Sequence, residues 1–153
     1  MTEDVGKEKK TEKPWRGKSV GVGVCVLVEK DGLVALIKRR GAHGEGTWAT
    51  PGGHIDFGEA IIDTACREVR EEGELEIGEL QIDGFTEDYF VSEGKHYITI
   101  WLSAQWVSGE LPASGEEFSE SGWFDMSDLP KPWFLPLQNL MRGKMHPCCG
   151  CKR

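Results

Sequence analysis

The chain has 153 residues, enough for one domain with a real core but not for two, and its 39% hydrophobic and 29% charged content fits a soluble globular protein. No apolar run approaches the roughly 18 residues of a membrane span, and the N-terminus carries no apolar signal core. A net charge of −8 argues against broad electrostatic capture of nucleic acid.

Residues 1–18 alternate Lys and Glu with almost no apolar content and read as a disordered arm ahead of a domain over 19–143. Val-rich segment 20–28, with Gly21 and Gly23 between the valines, predicts a buried strand. Asp31-Gly32 predicts a hairpin turn that returns 33–38 as a second strand. A glycine-rich loop over 41–46 follows, then Trp48, the turn Pro51-Gly52-Gly53 and a short extended piece, 54–57. The segment 58–72 predicts a helix whose Ile61, Ile62, Ala65, Cys66 and Val69 form an apolar arc, with acidic residues along its border. Asp63 near its start suits the helix dipole. Strands are predicted over 76–84, 97–107 and 121–126, and a terminal helix over 133–140 after the prolines Pro130 and Pro132. This order describes an α/β (α+β) chain with a mixed sheet between helices.

Five cysteines are an odd number without the spread of a secreted disulfide framework. Cys25 and Cys66 fall inside apolar patterns and read as small buried hydrophobes. The tail over 144–153 carries His146, Cys148, Cys149 and Cys151, soft ligands crowded too closely for an ordinary zinc centre, so a metal site and a frayed, oxidisable tail both stay open. So many thiols suit a reducing cytoplasm.

The most informative segment follows the Pro51-Gly52-Gly53 turn. Glu68, Glu71 and Glu72 stand at i, i+3 and i+4, which a helix brings together on neighbouring turns. Clustered carboxylates repel, and a hard divalent cation removes that penalty; Mg²⁺ favours a few carboxylates together with substrate phosphates and waters. Metal ions would also explain how an acidic protein receives a polyphosphate, since they reverse the local sign of charge.

Gly53, Glu59, Arg67, Glu68, Glu71 and Glu72 together resemble the signature box of the Nudix hydrolases. Six fixed residues at typical usage coincide by chance on the order of 10⁻⁷ per starting position. The pattern departs from that box at its end, where Gly73 stands one place early and Glu74 and Leu75 fill the closing positions. Gly73 is therefore expected to end the helix as its left-handed cap. The resemblance implies an α/β/α sandwich. It implies metal ligation by the Gly52 carbonyl, Glu68 and Glu72, with Glu71 binding metal or assisting the attacking water. It also implies a salt bridge between Arg67 and Glu59 that braces the loop against the helix. Which glutamate is the base stays open, because adjacent carboxylates share protons and metals.

The run from Gly46 to Glu59, with Thr50 where Leu is usual, is similar to small MutT-type members, as is Leu129-Pro130-Lys131-Pro132-Trp133-Phe134. That likeness implies water attack on a nucleoside triphosphate, an oxidised purine nucleotide among the candidates, to give the monophosphate and pyrophosphate. Mg²⁺ is the expected cofactor, with Mn²⁺ as a substitute. Arg39 is the candidate phosphate contact, with Gly53, His54 and Phe134 as further substrate contacts, the last stacking on a base. Glu116, Glu117 and Glu120 stand where many relatives recruit another acid. Other diphosphates remain as alternatives: nucleotide sugars, dinucleotides, capped RNA and isoprenoid diphosphates, or a non-catalytic nucleotide-binding module. The expected partner is a small nucleotide rather than a membrane or long nucleic acid, with a homodimer left open.

Overall fold

Strand β1 (Gly21–Lys30) runs through the middle of the sheet, and its alternation divides two cores. Val24, Val26 and Val28 face one side, while Cys25 and Leu27 face the other, as a two-residue period requires. The structure, a computed structural model, describes residues 17–41 and 43–148. Most of the predicted arm, and Cys149 and Cys151 of the tail, lie outside the described residues.

Asp31 and Gly32 both take positive φ (52° and 79°) and turn the chain into β2 (Leu33–Arg39), as an Asp-Gly hairpin should. β3 (Trp48–Ala49) and β4 (Gly52–His54) follow, then helix α1 (Ile61–Gly73). A long hairpin comes next, β5 (Leu75–Phe90) and β6 (Lys95–Gly109), joined by a 3-10 turn at Val91–Glu93. The chain ends its described course with β7 (Phe118–Phe124), helix α2 (Leu135–Met141) and β8 (His146–Pro147). The sheet order is β3-β2-β1-β6-β5-β8, with β4 also on β1 and β7 on β2. Of these strands only β1 and β6 pair in parallel, so the sheet is mixed. Ala65 and Val69 of α1 pack on the valine face, and Leu137 of α2 packs on the face that carries Cys25 and Trp101. The two helices thus sandwich the sheet. Among the described residues, no helix is long and apolar enough to cross a membrane.

Several boundaries differ from expectation for identifiable reasons. α1 begins at Ile61 rather than Gly58, because Gly58 takes φ 84° and the Glu59 N–H closes a turn on the Asp56 carbonyl at 2.9 Å. Strand β5 does not stop at Gly84; it continues through register shifts and pairs Thr86–Phe90 across to β6. Terminal helix α2 starts two residues late, and β7 begins three residues and ends two residues earlier than predicted. The tail segment carries an unforeseen strand: β8 pairs with Gly84 and Phe85, and His146 stacks on Phe85 with ring centroids 5.0 Å apart.

The expected left-handed cap at Gly73 is also corrected. Gly73 stays helical and buried, and Glu74 takes the left-handed conformation (φ 51°), its N–H bonded to the Arg70 carbonyl at 3.1 Å. Gly73 is instead closely packed: a Cβ there would lie 3.3 Å from Leu75 Cγ, so the leucine would have to give by a few tenths of an ångström. An exposed non-glycine residue therefore carries the cost of the left-handed turn. Glu74→Gly is expected to raise stability by about 0.5–1 kcal/mol, less what glycine's freedom adds to the unfolded chain. Chemical denaturation measures this, and an unchanged or lower midpoint would refute it.

Candidate active site

A cavity of about 610 Å³ opens where β4 and α1 meet the far ends of β2 and the β5–β6 hairpin, closed by Phe134 and Pro136 at the start of α2 and by the 112–117 loop. It has an acidic end and an aromatic end. β4 lies on β1 through Gly23–Cys25, and a Cβ on Gly52 would run into the Val24 carbonyl and come within 3.0 Å of Cys25 Cα. A Cβ on Gly53 would collide with the Glu68 carboxylate, 2.8 Å from its Oε2. The glycine pair thus lets backbone press between β1 and α1.

At the acidic end the Gly52 N–H donates to Glu72 Oε2 at 2.9 Å. Glu72 and Glu68 are both buried. Burial pushes the Glu72 carboxyl up to about 8, and the charges of Glu68 and Glu117 add to the rise against the Gly52 hydrogen bond. Burial also raises Glu68, partly offset by Arg67. Arg67 is the hub: Nε and Nη2 donate to Glu59 at 2.8 and 2.9 Å, and Nη1 donates to Glu68 at 2.8 Å and to Glu71 at 3.2 Å. Nη2 also reaches the His54 carbonyl at 3.2 Å. Glu59 accepts from Thr64 Oγ1 as well, and the Arg67 bonds lead in drawing its carboxyl down to about 2.

Among the described residues, no three acidic, His or Cys side chains are disposed to enclose an ion as they stand. Arg67 engages Glu68 and Glu71 instead. The donor set nevertheless fits a hard divalent cation: it is all oxygen, and Glu72 is a buried carboxyl repelled by Glu68 and Glu117, a repulsion Arg39 only partly offsets. Glu116 and Glu117 line the same cavity, whereas Glu120 is turned to Lys38 at 3.0 Å and takes no part.

At the aromatic end, Phe90 and Phe134 lie with centroids 5.5 Å apart, His43 packs on both, and Tyr97 meets Phe90 edge-on at 5.8 Å. Arg39 lies between the two ends, its guanidinium 4.3 Å above the Phe134 ring and its Nε donating to the His43 carbonyl at 3.0 Å. His54 lines the cavity at the rim, its ring 5.4 Å from Tyr97. All the residues expected at the site, Gly52, Gly53, His54, Glu59, Arg67, Glu68, Glu71, Glu72, Arg39 and Phe134, therefore converge on one cavity or directly brace it.

Sequence reasoning missed Phe90, His43 and the site role of Tyr97. The signal existed for Phe90: Phe85-Thr86 and Tyr89-Phe90 are strand formers ahead of Gly94, which takes positive φ at the turn. Cys25 also lines the wall, as a thiol whose burial pushes it up to about 12, too high for reactivity.

An α/β/α sandwich whose first long helix presents three glutamates beside a glycine turn defines the class. The NUDIX domain profile matches residues 17–142, and the chain belongs to that family. It is 33% identical over 110 residues to the ADP-ribose pyrophosphatase of Methanocaldococcus jannaschii, a match that takes in 72% of this chain and 64% of that protein. It is 32% identical over 129 residues to the Nudix hydrolase YvcI of Bacillus subtilis, 78% of each chain. Among solved structures, the MutT NUDIX hydrolase from Burkholderia pseudomallei superposes with a TM-score of 0.76 at 27% identity, covering 82% of this chain and 98% of that one.

The Glu59 carboxyl has an acid-stability consequence. Its folded value is depressed from 4.5 to about 2, so its contribution is fully present above pH 4.5 and is lost as pH falls through about 2. Thermal midpoints of wild type and Glu59→Gln should differ at pH 6 and converge toward pH 2; a constant gap would contradict the Arg67 brace.

Proposed function

We propose that this chain hydrolyses the pyrophosphate linkage of a nucleoside triphosphate, releasing the monophosphate and pyrophosphate. The observation that supports this is the two-ended cavity, with Glu68, Glu71 and Glu72 at one end and Phe90, Phe134 and Tyr97 at the other. A flat base fits between aromatic rings, and the polyphosphate then extends toward the acids. Arg39, between the two ends, suits a phosphate oxygen with its guanidinium fork.

Glu68, Glu72 and the Gly52 carbonyl would hold Mg²⁺, with Mn²⁺ as a substitute and Glu71 as a further ligand or as the group that aligns the water. When bound, the ion polarises phosphoryl oxygens and lowers the pKa of water. The protein's own part is positional and protolytic. Arg67 holds Glu68 and Glu71 in register with the loop, and an acidic side chain takes the proton of the water as its oxygen bonds to phosphorus. The P–O bond to the departing pyrophosphate then breaks.

A second reading has its own support. The archaeal relative named an ADP-ribose pyrophosphatase is 33% identical to this chain, and an aromatic cleft receives the adenine of a nucleoside diphosphate derivative equally well. Water attack would then yield two monophosphates. Exposed Cys148 suits a reducing compartment such as the cytoplasm under either reading.

Purified protein incubated with nucleoside triphosphates (oxidised purines included), ADP-ribose, nucleotide sugars, dinucleotides and capped RNA, with products weighed by mass spectrometry, separates the readings. Pyrophosphate from a triphosphate is the expected product; monophosphates from ADP-ribose alone would replace the first reading with the second. Glu72→Gln should lose on the order of 10²-fold or more in turnover while keeping its circular dichroism. Full activity in that variant would sink the acidic-end assignment. Because Glu72 is held protonated up to about pH 8, Mg²⁺ binding near neutrality should expel a proton, and that release should vanish above pH 8. Calorimetry in buffers of different ionisation enthalpy reads it; pH-independent binding heats would contradict it.

A further inference from the structure

Beneath the aromatic end lies a buried carboxylate that plays no part in the chemistry above. Asp88, on β5, has no exposed surface, and among the described residues no cation pairs with it. It is instead surrounded by neutral donors. Asn139 Nδ2 donates to Oδ1 at 2.7 Å, and Thr99 and Thr86 donate to Oδ2 at 2.5 and 3.2 Å. Trp101 Nε1 donates to Thr86 Oγ1 at 3.1 Å, which commits the Thr86 proton to Asp88. Three neutral side chains thus converge on its two oxygens, and both oxygens are engaged.

A carboxyl group in the interior is costly to desolvate even when hydrogen-bonded, and an aliphatic side chain would fill the position at lower cost. What the carboxylate supplies is direction. Asp88, Phe90, Tyr97 and Thr99 share one face of the β5–β6 hairpin, and Phe90, Tyr97 and Thr99 line the cavity. Asn139 belongs to α2, a helix of 7 residues that is too short to hold itself and has no side-chain N-cap. Residues Phe134 and Pro136 at its start form the facing wall. Leu137, Leu140 and Met141 attach α2 through apolar packing, and the Phe134 N–H, bonded to the Trp48 carbonyl at 2.9 Å, ties its start to β3 but not to the β5–β6 hairpin. The Asn139–Asp88 bond is directional, and a second contact from Asn139 Nδ2 to the Glu87 carbonyl at 3.4 Å keeps its amide oriented.

We propose that Asp88 and Asn139 form a latch that sets the spacing between the two aromatic walls, making Asp88 a positioning residue for base recognition rather than a catalytic one. The inference rests on reading the cavity as a nucleotide pocket. A wall displaced by an ångström loosens the base but leaves the distant glutamates alone, so KM moves and kcat does not.

The test compares wild type, Asn139→Leu and the exchanged pair Asp88→Asn/Asn139→Asp, in which amide and carboxylate trade places and the bond between them runs in the opposite direction. For the nucleotide that wild type turns over, Asn139→Leu should raise KM about tenfold with kcat within about threefold, and the exchanged pair should bring KM back to within about threefold. Amide exchange of Gln138 and Arg142 should quicken in Asn139→Leu and recover in the pair. If Asn139→Leu does not fold, Asn139→Asp set against the exchanged pair gives the same contrast. Unchanged KM and α2 exchange would overturn the latch. So would a parallel loss of kcat with a fallen thermal midpoint, or failure of a folded exchanged pair to recover. If wild type turns over no nucleotide, the pocket reading fails by itself, and the α2 exchange data still decide the latch.

Discussion

Glu72 accepts the Gly52 N–H, and the Glu68 carboxylate occupies the space where any side chain at Gly53 would begin. This contact between bare backbone and helix acids is the constraint from which the rest of the site follows. It requires β4 to lie flat on β1, which requires glycine at position 52, where a Cβ would meet the Val24 carbonyl, while glycine at position 53 leaves room for the Glu68 carboxylate. It also requires α1 to present its acidic border, not its apolar arc, to the turn. Ala65 and Val69 meet that condition by taking the opposite side into the valine core.

Packing three glutamates there would be self-defeating without Arg67. Its planar fork serves Glu59 with one edge and Glu68 with another, a division that a lysine ammonium could not reproduce. Glu72 is left outside this arrangement, and burial holds it protonated at neutral pH. The acids are thus graded by environment: Glu59 drawn down and structural, Glu68 shared, Glu72 raised by burial. The loop before α1 and α1 itself thus present different acidities from chemically identical groups.

Much of this was legible in the chain because it is local. The spacing of Glu68, Glu71 and Glu72, the glycine turn and the Glu59–Arg67 pair all fall within one short stretch, where helical periodicity alone predicts who meets whom. The valine strand and the Asp31-Gly32 hairpin were readable for the same reason. Long-range pairing was not. That β5 runs on to Phe90 depends on register with β6, and that His146 joins the sheet depends on the edge offered by Gly84 and Phe85. The Glu74 cap escaped notice because glycine at the neighbouring position seemed to satisfy the conformational need, whereas Gly73 stays helical with Leu75 packed close against it.

The same distinction separates bond from substrate. The acidic end is assembled by one contiguous segment, so its chemistry travels with the motif. The aromatic end draws Arg39 and His43 from the end of β2 and the loop after it, Phe90 and Tyr97 from a hairpin and Phe134 from the approach to α2. Nothing in the motif controls how those segments are spaced, and a change in the hairpin or in α2 can reshape the pocket without touching a glutamate. Family membership therefore speaks to the kind of linkage broken, while the identity of the group carrying it is decided by packing among residues far apart in the chain.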